Sequence, residues 1–255
     1  MPTDTEMTWD ALPEFTGEIR ADDQVLIIAM KGGAKSTLAA TLTLGVPSMI
    51  AIDDKGRLTL PGAAIYDLPA WKDDKQYDDA LASAIRWRND STSRTLWGHT
   101  PDRATNRIIL RVDPNDQDNP KVHNRIFRAV FLTRPDTILW IDEITATGAT
   151  PQASPVFLRA LSARGRTINI GMWTLTQAPY GMLPGVLKRN ADITIVGPVS
   201  KADAIEMTRD GFDHAEIAGE LPTRTGRFLV RRQGDRQTYR LFVPIPRELR
   251  HWEAP

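Results

Sequence analysis

Cysteine is absent from the 255 residues, which excludes disulfides, thiol catalysis and cysteine-ligated zinc. A net charge is absent too, since 32 Lys and Arg balance 32 Asp and Glu. The whole molecule therefore exerts no attraction on nucleic acid, and any such contact needs a local basic patch or patches concentrated in a ring. No apolar run approaches the roughly 20 residues that cross a bilayer. The opening MPTDTEMTWDALPEF is polar and acidic, unlike a secretory leader, so a cytoplasmic location is expected. The four histidines, His99, His123, His214 and His251, show no metal-ligand spacing and read as solvated or core imidazoles.

What is present is a globular composition, 41% hydrophobic and 25% charged. The length suits one large α/β domain or two small ones. Short buried runs that read as strands alternate with helical stretches. The strands are expected at Val25 to Met30, Met49 to Ile52, Arg107 to Val112, Thr137 to Ile141, Thr167 to Thr176 and Asp192 to Val196. Helices are expected at 38–44, 77–87, 122–132, 155–163 and 201–207. A long loop is expected from Asn89 to Asn106. Phe228 to Arg232 and Thr238 to Val243 flank Gln233-Gly234-Asp235 and read as a hairpin. Alternation of this kind predicts an α/β fold: a mostly parallel central sheet with helices on both faces and a C-terminal β-hairpin. With no repeat or long linker, one domain over residues 23–245 is expected, with an arm at 1–22 and a tail at 246–255.

The strongest local pattern is VLIIAMKGGAKSTLAATL, a strand, a glycine-rich loop and a helix. It approximates the P-loop G-x-x-x-x-G-K-[ST], with Ala29 and Ala34 at the two glycine positions. Lys31, Gly32, Gly33, Ala34, Lys35, Ser36 and Thr37 are the candidate nucleotide cradle. Their backbone N–H groups and the helix N-terminus would face the phosphates of ATP. Lys35 would reach the β- and γ-phosphates, and Ser36 would place its hydroxyl on Mg²⁺. An alanine at a position needing positive φ is strained.

TILWIDE brings Asp142 and Glu143 to the tip of a buried strand, the end of an open α/β sheet where ligands bind. Asp142 suits the Mg²⁺ shell. Glu143 suits the orientation of an attacking water. Gln177, at the end of another strand, reads either as a γ-phosphate contact or as a plain loop glutamine.

These motifs together resemble the FtsK–HerA superfamily of DNA-translocating ATPases, over roughly Val25 to Val243. AIDDKGRL (51–58) resembles its second strand, which ends in Asp and a Lys-Gly turn. LWIDE resembles its Walker B strand. ARGRTINIGMWTLTQAP (163–179) is the most specific match: Arg166 precedes an apolar strand and Gln177 follows eleven residues later, with Pro179 completing the ending. MLPGVLKRNADITIVG resembles the segment in which a short helix leads to Asn, Asp and a further strand. The resemblance implies a RecA-like (ASCE) P-loop NTPase fold and a homo-oligomeric, hexameric ring with ATP at subunit interfaces. In such a ring Arg166, with Arg164 as the alternative, would act on the neighbour's γ-phosphate. The size resembles the genome-packaging ATPases of tailless, internal-membrane viruses.

The partners so implied are double-stranded DNA bound without regard to sequence and capsid-vertex or membrane proteins, with no transmembrane segment in the chain itself. A cellular or plasmid translocase of the same superfamily is an alternative. A partitioning-type dimeric ATPase is a second, although its extra lysine would fall at Met30 and Lys31 comes one residue late. A small-molecule kinase would need a lid and an acceptor pocket, and neither is legible. Two basic regions could face DNA: Arg88, Arg94, Trp97 and Arg103, and the hairpin residues Arg231, Arg232 and Arg236. A solvated charged face or a ring interface explains each equally well, and Trp87 and Trp97 read as packing residues.

Overall fold

The computed structural model describes residues 6–7, 19–20, 22–43, 46, 48–60, 62–90, 106–133, 137–212, 226–234 and 238–242, with backbone alone for 6–7, 86–90 and 238–242. Ten strands are described in chain order: β1 (Glu6–Met7), β2 (Gln24–Ile28), β3 (Ser48–Asp53), β4 (Ala64–Asp67), β5 (Asn106–Arg111), β6 (Thr137–Ile141), β7 (Ile170–Thr176), β8 (Ile193–Val196), β9 (Arg227–Arg232) and β10 (Thr238–Phe242). The helices are α1 (Lys35–Leu42), α2 (Asp74–Asp90), α3 (Pro120–Thr133), α4 (Val156–Arg164), α5 (Gly185–Asn190) and α6 (Lys201–Arg209).

All ten strands join one sheet in the order β1-β10-β9-β8-β2-β7-β6-β3-β5-β4. The stretch from β8 to β4 is wholly parallel. Only β9 runs antiparallel to its neighbours, as the hairpin predicted. The parallel strands can be continuous apolar runs because both of their faces are covered. Alternate residues feed two cores. Leu26, Ile28, Ile50, Ile52, Leu139 and Ile141 pack on one face with residues of α2, α3, α4, α5 and α6. Val25, Ile27, Met49, Ala51, Trp140 and Trp173 pack on the other, where α1 supplies Leu38, Ala39, Ala40 and Leu42. Helices therefore lie on both faces, but unequally.

Most expected elements are present, with four differences. β7 begins at Ile170, because a 3-10 turn over Arg166–Ile168 and a left-handed Asn169 (φ 57°) precede it. α2 continues to Asp90, past the point where the polar loop was expected to begin. The edge strand β4 was not expected, since its half-buried AIYD lacks a continuous apolar run. The arm contributes β1, which pairs in parallel with β10 through Glu6 and Arg240. Residues 91–105, with Arg94, Trp97 and Arg103, and residues 235–237, with Arg236, lie outside the described residues, as do the tail 246–255 and the side chains of Trp87 and Arg88. Among the described residues no helix is long and apolar enough to cross a membrane.

Candidate nucleotide site

Because β2, β3, β6 and β7 are parallel, their C-terminal tips share one edge of the sheet. The loop after β2, the Asp53–Gly56 turn after β3, the acidic pair after β6 and Gln177 after β7 converge there. This is the edge at which open α/β sheets bind ligands.

The loop from Ala29 to Ala34 is built on tight backbone contacts. Ala29 N–H donates to Thr176 O (3.2 Å), Met30 N–H to Pro198 O (2.7 Å), and Gly33 N–H to Met30 O (3.0 Å). Gly32 takes φ 78° and Ala34 takes φ 63°, both left-handed. Ala34 thus occupies the position whose strain the sequence forecast. Ala29 is accommodated differently. A Cβ on Gly33 or on Gly197 would lie 2.8 Å from the Ala29 methyl, so both positions need glycine while Ala29 keeps its side chain. Lys31 and Gly32 stand exposed on the loop crest, and Gly33, Lys35 and Thr37 are buried.

Lys35 opens α1 and turns back on the loop, its Nζ donating to Ala29 O (2.8 Å) and Met30 O (3.2 Å). Burial pushes its ammonium down to about 8, against the opposing pull of the Glu143 and Asp142 carboxylates. Those carbonyl contacts hold a cation that a polyphosphate would bind more strongly. Ser36 Oγ donates to Asp142 Oδ1 (2.9 Å), and Lys55 Nζ approaches Asp142 Oδ2 at 3.3 Å.

A hydroxyl and a carboxylate side by side are hard oxygen donors and fit Mg²⁺. That ion takes one or two protein oxygens and completes its octahedron with water and phosphate. Among the described residues no group of three or more His, Asp or Glu side chains is placed to hold a metal.

Glu143 is fixed from three directions. Its Oε1 accepts from Thr145 Oγ1 (2.9 Å) and Thr176 Oγ1 (3.1 Å), and its Oε2 accepts from the Gln177 backbone N–H (3.1 Å). The Gln177 side chain is exposed, so β7 bears on Glu143 through a main-chain group and the Thr176 hydroxyl. Thr145 and Thr176 were missed in the sequence, where a threonine beside an acid carries no distinguishing signal. Lys55 was quoted only as part of a turn.

Arg166 stands apart. It precedes β7, whose seven residues span about 20 Å, so it sits at the opposite edge of the sheet from Gln177. There its guanidinium pairs with Asp192 (2.7 Å), about half exposed. Arg164 closes α4 at the same edge. Within one chain neither arginine approaches Lys35, Asp142 or Glu143.

No family model and no curated protein sequence matches the chain. Solved structures do. The genome packaging NTPase B204 from Sulfolobus turreted icosahedral virus 2, in complex with ATP-gammaS, is similar at 17% identity and a TM-score of 0.59, over 89% of this chain and 100% of that one. VirB4 of Thermoanaerobacter pseudethanolicus is similar at 14% identity and a TM-score of 0.57, over 92% and 93%. The bacterial conjugative coupling protein TrwB is similar at 12% identity and a TM-score of 0.58, over 95% and 94%. With a P-loop after β2, an acidic pair after β6 and β7 inserted between them, the chain carries the RecA-like P-loop NTPase fold that it shares with B204, VirB4 and TrwB.

Proposed function

We propose that this protein is an ATPase that works as a ring-shaped homo-oligomer, a hexamer, and drives double-stranded DNA into a preformed viral capsid. The observation that carries the reading is the fixing of Glu143 by Thr145, Thr176 and the Gln177 N–H beside the Ser36–Asp142 contact. A carboxylate so held keeps acceptor capacity for the proton of a water attacking a γ-phosphate. Lys35 would leave the loop carbonyls for the β- and γ-phosphates, with the N–H groups from Lys31 to Thr37 around them. Ser36 and Asp142 would hold Mg²⁺, which supplies charge neutralisation on the phosphate oxygens. Gln177 would report the presence of the γ-phosphate. Arg166 lies at the far edge of its own sheet, so the reading assigns it to the neighbour's site.

Packaging is preferred over other DNA transport because the B204 structures, described as a genome packaging NTPase, align over their whole length and at higher identity than TrwB. A conjugative or end-processing translocase is the second reading, favoured by the near-equal TM-score of TrwB. In the packaging reading the protein would work in the host cytoplasm, with capsid-vertex or membrane proteins as partners.

The test is ATP hydrolysis with and without duplex DNA, together with particle mass in a nucleotide analogue. Stimulation by DNA and a ring-sized particle are expected, and Lys35→Ala should abolish hydrolysis. A monomer or a dimer under all conditions, or full activity in Lys35→Ala, removes the motor.

A further inference from the structure

The Asp-Asp-Lys-Gly turn after β3 has no part in the reading above, yet it is among the most constrained segments near the site. The buried Asp53 carboxylate accepts from the backbone N–H groups of Lys55 (3.1 Å), Arg57 (3.3 Å) and Leu58 (3.0 Å). Arg111 Nε faces it at 3.5 Å. Gly56 turns the chain with φ 66°, a conformation that L side chains rarely adopt. Asp54, also buried, is tied to His123 of α3 at 2.6 Å. The backbone of Lys55 is thus anchored on both sides. Its side chain is 46% exposed, and its ammonium reaches across to Asp142, which is 14% exposed.

Both carboxylate oxygens of Asp142 are then engaged by the protein: Oδ1 by Ser36 Oγ–H and Oδ2 by Lys55. A divalent ion on Asp142 would stand beside the Lys55 ammonium, which is repulsive at this range. A lysine head on four methylenes can swing away at little cost, because a half-exposed ion pair is weak. Within the site the Lys35 and Lys55 ammoniums stand against the Asp142 and Glu143 carboxylates.

We propose that Lys55 is a tethered cation that competes with Mg²⁺ for Asp142 and yields the carboxylate when Mg²⁺ arrives with nucleotide. Lys55 is a positioning residue in this account, and the inference rests on the ATPase reading. Free Mg²⁺ must compete with the ammonium alone, whereas Mg²⁺ carried by nucleotide phosphates has a second set of oxygen ligands, which tips the exchange. Metal and nucleotide therefore load together.

The test is equilibrium binding of a fluorescent ADP as Mg²⁺ is titrated, a readout independent of turnover. The Mg²⁺ concentration for half-maximal binding should fall about threefold or more in Lys55→Met, the scale of one half-exposed ion pair. Lys55→Arg should stay close to wild type. An unchanged Mg²⁺ requirement in Lys55→Met overturns the proposal. So does a tenfold loss of nucleotide affinity at saturating Mg²⁺, which would make Lys55 a phosphate ligand. Failure of the wild type to bind the nucleotide at any Mg²⁺ concentration is a different result and removes the ATPase reading itself.

Discussion

Thr176 Oγ1, at the last position of β7, donates to Glu143 Oε1 at 3.1 Å across the 33 residues that separate them in sequence. The same hydroxyl accepts from Ala178 N–H (2.9 Å), so it fixes both the acid and the turn that carries Gln177. Glu143→Gln should still bind ATP but hydrolyse it about 10²–10⁴-fold more slowly, the range for loss of a general base. Thr176→Val should lower kcat more than it changes KM. Single-turnover hydrolysis beside nucleotide binding checks both, and unchanged turnover in Glu143→Gln would reassign the base.

Arg166 pairs with Asp192 on the protein surface, and exposed pairs of this kind contribute about 0.2–1 kcal/mol. Arg166→Ala should therefore fold with stability within about 1 kcal/mol of wild type while losing hydrolysis. Mixed with wild type, it should lower activity more steeply than its own fraction. A strictly proportional fall would show that Arg166 does not act on a neighbour.

His123 sits fully buried between two acceptors, with Nδ1 at 2.9 Å from Asn119 O and Nε2 at 2.6 Å from Asp54 Oδ1. A ring with both nitrogens facing acceptors is an imidazolium. Burial works against that charge, but the Asp54 carboxylate and the Asn119 carbonyl outweigh it and hold the imidazolium above its usual range. The folded value being the higher one, this pair adds stability that is complete below the unfolded value of about 6.5 and is lost as pH rises through the folded one. The difference in urea stability between wild type and His123→Gln should be larger at pH 6 than at pH 9. Equal differences would mean that the ring is neutral. His123→Ala, leaving Asp54 buried and alone, should cost about 3–5 kcal/mol at pH 6.

Ala34 pays for its left-handed backbone, φ 63°, in conformational strain of about 1–2 kcal/mol. Glycine there would relieve that strain and lose about 0.5–1 kcal/mol to unfolded-state entropy. Ala34→Gly should therefore stabilise by about 0.5–1 kcal/mol in urea unfolding. Destabilisation would mean that the methyl packs usefully in the loop.

Much of the candidate site's arrangement was legible because its determinants are local. Lys35 and Ser36 follow a buried strand and open a helix, and Asp142 and Glu143 follow TILWI. A run of apolar residues bounded by polar ones marks a strand wherever it lies. β4 escaped because an edge strand needs no apolar run, and the start of β7 was misplaced because Thr167 and Ile168 favour extended chain while Asn169 tolerates a left-handed turn. Thr145, Thr176 and Lys55 escaped as site residues because their importance lies in what they touch.

The sequence by itself determined most of the buried parallel strands, the glycine-rich loop and the acidic strand tip, since buried periodicity and turn chemistry are read within a few residues. Only the tertiary structure decided that β7 separates β2 from β6, that five of the described helices crowd one face and that His123 meets Asp54. It also decided that Arg166 and Gln177 mark opposite edges of one sheet. Those facts depend on which distant strands pair and in what register, a choice made by the summed burial of the whole core and not by any one segment.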